Sequence, residues 1–465
     1  MSRKQTIIRG TLILTVTGFL SRFMGFFYRI FLSRTFGEEG VGLYQLIFPV
    51  YALCYSLTTA GIETAISRTV ARKVSLGREQ EAREFLLTGL FLSFFLSCIC
   101  MVAIQKNAAF IASRILGDER CIPLLTILSY TVPCSAIHSC IGGYCYGLKQ
   151  TAVPASAQLV EQTARIFGVF LLYRLLIKNQ GTAPITIAVC GLVIGEFFSA
   201  VYSVSVLPQA LRGRDVIHPI HRRSPSASAG RIFPRMNGKI LYQRLCELLP
   251  LSVPLTANRV LINLLQSIEA ISIPGRLQLF GLDTSEALSL YGVLNGMALP
   301  CILFPSAVTS SISIMLMPTV AEIQATDNRS EMLDIIKKVA GACFILGLFC
   351  CLSFLLFGAW IGVTLFGSPT AGKFILTLAW ICPFLYTNSA LSSVINGLGK
   401  TGSTLFINTF SLLIRIAGVF YAIPLFGIQG YLWGLLVSQL AATLLSVIVI
   451  YFNLTPGKSR RQQGS

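Results

Sequence analysis

Five arginines stand inside stretches of this chain otherwise suited to lipid: Arg22 and Arg29, Arg165, Arg259 and Arg415. A guanidinium at the centre of a bilayer costs roughly 2.5–3.5 kcal/mol on insertion scales, so each needs a partner or a purpose. The acids read within those stretches are Glu161, Glu196 and Glu269, while Asp118, Asp215, Asp283, Asp327 and Asp334 fall between them. Glu161 and Arg165 are four residues apart and can neutralise each other on one helix. The remaining arginines outnumber the remaining acids, which predicts a cationic, water-accessible cavity. A planar guanidinium donates two parallel hydrogen bonds and stays charged in a partly apolar setting, which suits phosphate and pyrophosphate. The expected ligand is a lipid pyrophosphate, bound by Arg22, Arg29, Arg259, Arg415 and Arg165. Glu161 and Glu196 are the candidates for a coupling proton or sodium ion. The bland alternative is that Arg29, closest to a span end, snorkels to the interface.

The elements that must carry these side chains are transmembrane helices. Of 465 residues, 54% are hydrophobic and 12% charged, too little polarity to cover a globule in water. Runs such as 85–103 and 435–452 are apolar on every face, where a barrel strand would alternate. About twelve spans are expected, near 8–31, 42–66, 85–104, 122–147, 152–175, 185–207, 248–273, 288–317, 339–358, 373–397, 403–425 and 429–452. The first carries Arg22 and Arg29 and is too long for a signal peptide, so it reads as a retained helix.

Basic residues cluster in alternate loops, including Arg68, Arg72, Lys73, Arg78 and Arg83, the 212–244 stretch, and the tail Lys458, Arg460 and Arg461. The positive-inside rule then puts both termini in the cytoplasm of a multi-pass protein of the cell membrane. The net charge of +18 is mostly topological, dispersed without interleaved aromatics, which argues against nucleic acid.

The stretch 209–245 is Pro-, Ser- and Arg-rich and reads as a basic cytoplasmic linker between a six-helix lobe, 1–208, and a second lobe with its tail, 246–465. The halves repeat. Gly117, Pro133, Gly147-Leu148 and Arg165-Ile-x-Gly168-Val-Phe recur as Gly367, Pro383, Gly397-Leu398 and Arg415-Ile-x-Gly418-Val-Phe at a constant offset of 250 residues. An even number of spans per copy makes the repeats parallel, an architecture of transporters that work by alternating access.

Catalysis is not indicated: the chain lacks a Ser/His/Asp set and a Walker-type phosphate loop, so it reads as a transporter rather than an enzyme. The 14 cysteines lie mostly in apolar spans, with no CxxC pairs, and His218 and His221 sit in the linker, so neither a metal nor another cofactor is expected.

Several strings resemble a known family. Arg9-Gly-Thr-Leu-Ile-Leu, Gly25-Phe-x-x-Arg29-Ile, Phe36-Gly37-Glu-Glu-Gly-Val-Gly-Leu-Tyr44 and Gln158-x-x-Glu161-Gln162-x-x-Arg165-Ile resemble the stage V sporulation protein B family. That family belongs to the multidrug/oligosaccharidyl-lipid/polysaccharide exporter (MOP) superfamily. The Ser21-Arg22-x-x-Gly25-Phe26 pattern is similar to the first helix of the related lipid II flippases, with Arg29 in the place of their next arginine. The resemblance implies a MATE-like fold of two pseudo-symmetric lobes and a role in cell-wall or spore-cortex polysaccharide assembly. The cargo it implies is a polyprenyl-pyrophosphate saccharide, flipped between leaflets by a protein that contacts membrane lipids and works as a monomer. Two alternatives stand beside it: an ion-coupled exporter of organic cations, whose pocket should be acidic, and a non-transporting scaffold that recruits wall-synthesis enzymes through 209–245.

Overall fold

The computed structural model describes residues 3–180, 184–211, 237–325 and 329–454; most of the expected linker and the C-terminal tail lie outside these. The described chain is helical almost throughout. In order, the helices are α1 Arg3–Leu46, α2 Phe48–Tyr55, α3 Gly61–Ser75, α4 Glu79–Phe110, α5 Cys121–Ser129, α6 Thr131–Gly147, α7 Ala152–Gln180, α8 Thr186–Leu211 and α9 Gly238–Leu279. They continue as α10 Thr284–Gly292, α11 Leu299–Leu303, α12 Ser306–Ala325, α13 Arg329–Ile361, α14 Pro369–Leu378, α15 Cys382–Gly397, α16 Thr401–Ala417, α17 Ile423–Phe426 and α18 Ile428–Leu454.

Ten helical segments among the described residues are long and apolar enough to cross a membrane. The first, Leu12–Ser75, is 64 residues long and covers two expected spans. The expected span 152–175 is helical as α7 but is not among the ten, and it holds Glu161, Arg165 and Arg174. The outward face of α13 shows what these helices are for: Phe349, Leu352, Leu356 and Trp360 are exposed, a surface that only lipid makes favourable.

Three boundaries differ from the sequence reading, each for a local reason. Gly37 adopts φ 69° and ψ −176°, so α1 is two helices joined at a kink that a side chain would resist. The expected span 288–317 breaks at Pro305, whose ring cannot continue the helical ladder. Helix α9 begins at Gly238, inside the expected linker, because its first turns are held by charge. Arg244 pairs with Glu84 at 2.9 Å and Glu247 at 2.9 Å, and Glu247 also pairs with Lys73 at 3.3 Å.

The chain forms two compact units, one of residues 1–28 and 43–267, the other of 29–42 and 268–465. Helices α1 and α9 each contribute to both. Unit 1 is centred on Ile66, Val70, Phe85, Ile141 and Cys145, unit 2 on Val320, Cys343, Val394 and Ile395, and both cores use cysteine as a small apolar side chain.

The 250-residue repeat is visible in packing. A side chain on Gly147 would lie 2.8 Å from the Ser67 carbonyl oxygen and 2.8 Å from Val70 Cβ; one on Gly397 would lie 2.7 Å from the Met317 oxygen and 3.0 Å from Val320 Cβ. All three positions shift by the same offset. Left-handed backbone is duplicated too, at Gly117 and Gly367 (φ 75° and 70°) and at Lys149 and Gly399 (φ 61° and 77°).

Candidate functional site

The sequence-predicted residues divide between the units. Arg22, Glu161, Arg165, Glu196 and Arg259 lie in unit 1; Arg29, Glu269 and Arg415 lie in unit 2.

In unit 1 the spans converge on a polar cluster. Glu161 and Arg165 form the ion pair expected from their spacing on α7. Glu196 on α8 is 6% exposed and has both carboxylate oxygens engaged. The Tyr51 hydroxyl donates to Oε1 at 2.8 Å, and His138 Nε2 on α6 lies 2.7 Å from Oε2. Beside them the Tyr55 hydroxyl donates to Glu63 Oε2 at 3.1 Å and lies 3.1 Å from Ser139 Oγ. The ligand-capable atoms of His138, Glu161 and Glu196 all fall within 4.8 Å of one another, close enough to share one small cation.

Five of these residues escaped the sequence reading: Tyr51, Tyr55, Glu63, His138 and Ser139. Glu63 lies within the expected span 42–66 and belonged among the acids inside the membrane. Of three histidines in the chain, His138 alone lies inside a span, which was the available signal.

The other unit 1 arginines differ in setting. Arg22 is exposed on the first part of α1. Arg259 on α9 is exposed, and among the described residues no carboxylate lies within ion-pair distance of it. The part of α9 that carries it is fixed in unit 1 by Asn263 and Ser267, which donate to the carbonyls of Ala52 at 3.4 Å and Pro49 at 3.2 Å.

In unit 2, Arg29 is half-buried and its Nη1 donates to the Asn295 carbonyl at 3.1 Å, so it is held by protein rather than left at an interface. Asn295 Nδ2 beside it is buried without a hydrogen-bond partner among the described residues. Arg415 corrects the charge count made from sequence. It was counted among the surplus cations, yet its Nε donates to Glu269 Oε1 at 2.7 Å, and the Tyr431 hydroxyl donates to the same oxygen at 2.7 Å. Glu269 is 2% exposed, so this charge is compensated away from water.

Together these features define a polytopic, all-helical membrane protein built by duplication, with charged clusters inside the bilayer-spanning helices. Its fold is that of the MOP transporters. It is similar to an inward-facing multidrug resistance MATE family transporter of the MOP superfamily, with a TM-score of 0.73 at 13% identity over 93% of this chain and 94% of that one. It is also similar to the lipid II flippase MurJ in an inward closed conformation, with a TM-score of 0.69 at 13% identity over 95% of this chain and 87% of that one. The family model for polysaccharide biosynthesis proteins matches residues 7–324, and the chain belongs to that family. It is 27% identical to the stage V sporulation protein B of Bacillus subtilis (strain 168), over 96% of this chain and 84% of that protein.

Proposed function

We propose that this protein is a flippase that carries a polyprenyl-pyrophosphate-linked saccharide from the inner to the outer leaflet of the cell membrane by alternating access, for cell-wall or spore-cortex assembly. The observation that carries the reading is Arg259. It is a guanidinium on a membrane-spanning helix, exposed, with no ion pair among the described residues, in a chain of the polysaccharide biosynthesis family. Such a charge is costly in lipid unless an anion meets it, and a pyrophosphate offers oxygens at the right spacing. Arg22 and Arg29 extend the same chemistry, while Arg165 and Arg415 bring theirs already partly neutralised. The relatives named for sporulation and for lipid II flipping support the cargo class. Glu161 and Glu196 take the coupling cation, both termini face the cytoplasm, and the working unit is a monomer.

The acids Glu63, Glu161 and Glu196 in unit 1 favour a second reading, ion-coupled export of an organic cation, since a cationic drug needs acidic contacts. One assay separates the two. Purified protein in proteoliposomes is given a lipid-linked saccharide precursor, and headgroup exposure on the far leaflet is followed for wild type, Arg259→Ala and Arg22→Ala. Translocation by wild type that falls at least tenfold in both variants supports the flippase. Undiminished translocation in both removes the arginine mechanism, and efflux of cationic dyes without lipid movement replaces it with export.

A further inference from the structure

The repeat can be followed from the charged cluster of unit 1 into unit 2. At the offset of 250 residues, Glu63, His138, Ser139 and Glu161 correspond to Ser313, Asn388, Ser389 and Ser411. The last helix of each copy keeps a register of its own. Ser411 donates to the Ser438 carbonyl at 3.2 Å, and its counterpart Glu161 abuts Gly195, where an added Cβ would lie 2.8 Å from the Glu161 carbonyl oxygen. Ser438 thus answers to Gly195, and α18 follows α8 at an offset of 243. Glu196 then becomes Gln439, and the contact survives the exchange: His138 Nε2 lies 2.7 Å from Glu196 Oε2, and Asn388 Nδ2 donates to Gln439 Oε1 at 2.9 Å. Three acids and a histidine have become hydroxyls and amides, while Arg165 is kept as Arg415.

This neutral cluster is closed on one side and open on another. Thr443 Oγ1 donates to Asn388 Oδ1 at 2.9 Å, and Ser313 Oγ lies 2.9 Å from Ser389 Oγ, which joins α12, α15 and α18. Thr404 Oγ1 of α16 donates to Asn396 Oδ1 of α15 at 2.8 Å. The side-chain amide hydrogens of Gln439 and Asn396 meet no acceptor among the described residues, and both residues are half-buried. Asn408 follows Thr404 by four residues and precedes Ser411 by three, so the three share a stripe of α16. It is exposed on a spanning helix and has no hydrogen-bond partner among the described residues. A network that only joined helices would direct its amide hydrogens to the neighbouring helix. An amide left bare to hydrocarbon is unfavourable, so these groups call for water or a polar ligand. A cation would want the carboxylates that the second copy has lost, and Glu269 of this unit is already met by Arg415 and Tyr431. Amides and hydroxyls both donate and accept, which matches an uncharged ligand rich in hydroxyl groups.

We propose that the amide and hydroxyl tract of unit 2, carried by Asn388, Asn396, Asn408 and Gln439, is a binding site for the sugar rings of a saccharide. This rests on the proposed cargo class and adds, within unit 2 alone, a site for the uncharged part of that cargo. The two copies have divided the chemistry between them: unit 1 keeps the ionisable groups, and unit 2 presents the groups that recognise hydroxyls.

The test measures binding to the detergent-solubilised full chain with three probes: a polyprenyl pyrophosphate bearing a neutral disaccharide, the same lipid without sugar, and the free disaccharide. Wild type is expected to bind the saccharide-bearing lipid about tenfold or more tightly than the bare lipid. Gln439→Met and Asn408→Leu should each reduce that preference about fivefold, the equivalent of one hydrogen bond, and leave the affinity for the bare lipid unchanged. Asn408 has no hydrogen bond to lose, so its variant tests the site even where Gln439→Met lowers the melting temperature. Binding of the free disaccharide that Gln439→Met removes supports recognition of the sugar by itself; a preference seen only with the lipid-linked form supports a site that the lipid must first anchor. A wild type that neither distinguishes the two lipids nor binds the free disaccharide overturns the proposal. A preference that survives in both variants overturns it too, as does an equal loss of affinity for the bare lipid. Failure of translocation in proteoliposomes with the sugar preference intact would sink the flippase reading and leave this site standing.

Discussion

Arg165 and Arg415 occupy the same place in the two copies of the repeat, 250 residues apart, yet each is neutralised by a carboxylate from a different source. Arg165 pairs with Glu161 on its own helix, and Arg415 with Glu269 on α9. The position equivalent to Glu161 is Ser411, whose hydroxyl donates to the Ser438 carbonyl at 3.2 Å. Duplication preserved the cation and relocated its partner.

Breaking the Arg415–Glu269 pair from either side leaves one charge or polar group without its mate. Glu269→Gln and Arg415→Gln are each expected to destabilise the detergent-solubilised protein by about 3 kcal/mol, the low end for a buried pair because Arg415 is partly exposed. The double variant should recover part of that loss. Thermal melts of the four proteins complete the cycle, and strict additivity would show that the pair does not couple.

Lys149 sits where its repeat counterpart is Gly399, both at positive φ. A lysine in left-handed backbone carries a steric cost that glycine lacks. Lys149→Gly should raise stability by up to about 1 kcal/mol, net of the entropy glycine costs in the unfolded chain. Gly399→Lys should lower it by a similar amount, and melting temperatures that move the other way would contradict the assignment.

Gly147 and Gly397 each face a backbone carbonyl and a valine on the helix they cross. Backbone cannot retreat as a side chain can, so alanine at either position should cost about 1–3 kcal/mol by overpacking. Leucine there should prevent stable folding, as read by size-exclusion profiles of the expressed protein.

The start of α9 is held by Arg244, Glu84, Glu247, Lys73 and Glu81, and both cations also lie over the Phe85 ring, at 5.2 and 5.3 Å. Ion pairs with partly exposed members weaken in salt. Raising sodium chloride from low concentration to about 0.5 M should lower the melting temperature of wild type more than that of Arg244→Met. Equal shifts would mean that the network adds nothing.

What the sequence discloses follows from the range of each interaction. The spans are legible because bilayer thickness imposes an apolar length, and the Glu161–Arg165 pair because i,i+4 neighbours meet on any helix. The repeat is legible as a constant offset. The partners of Arg415 and Glu196 are not, since Glu269 is 146 residues from the one and His138 58 residues from the other. Only the packing of helices brings them together. Glu63 and the Tyr55 beside it were hidden by the apolar average of their span. The kink at Gly37 and the break at Pro305 could be suspected from residue type, but helix continuation through each was the simpler reading.

The pairing of Arg415 with Glu269 also fixes an order of events during synthesis. Glu161 and Arg165 leave the ribosome four residues apart and can enter the membrane as a neutral unit. Glu269 emerges 146 residues before Arg415, so its carboxyl lacks these partners until α16 and α18 arrive with Arg415 and Tyr431. The Glu269–Arg415–Tyr431 contact of the second half is therefore completed only once α18 has been made. A chain truncated before residue 415 has no Arg415 and no Tyr431 to meet the buried Glu269 carboxylate.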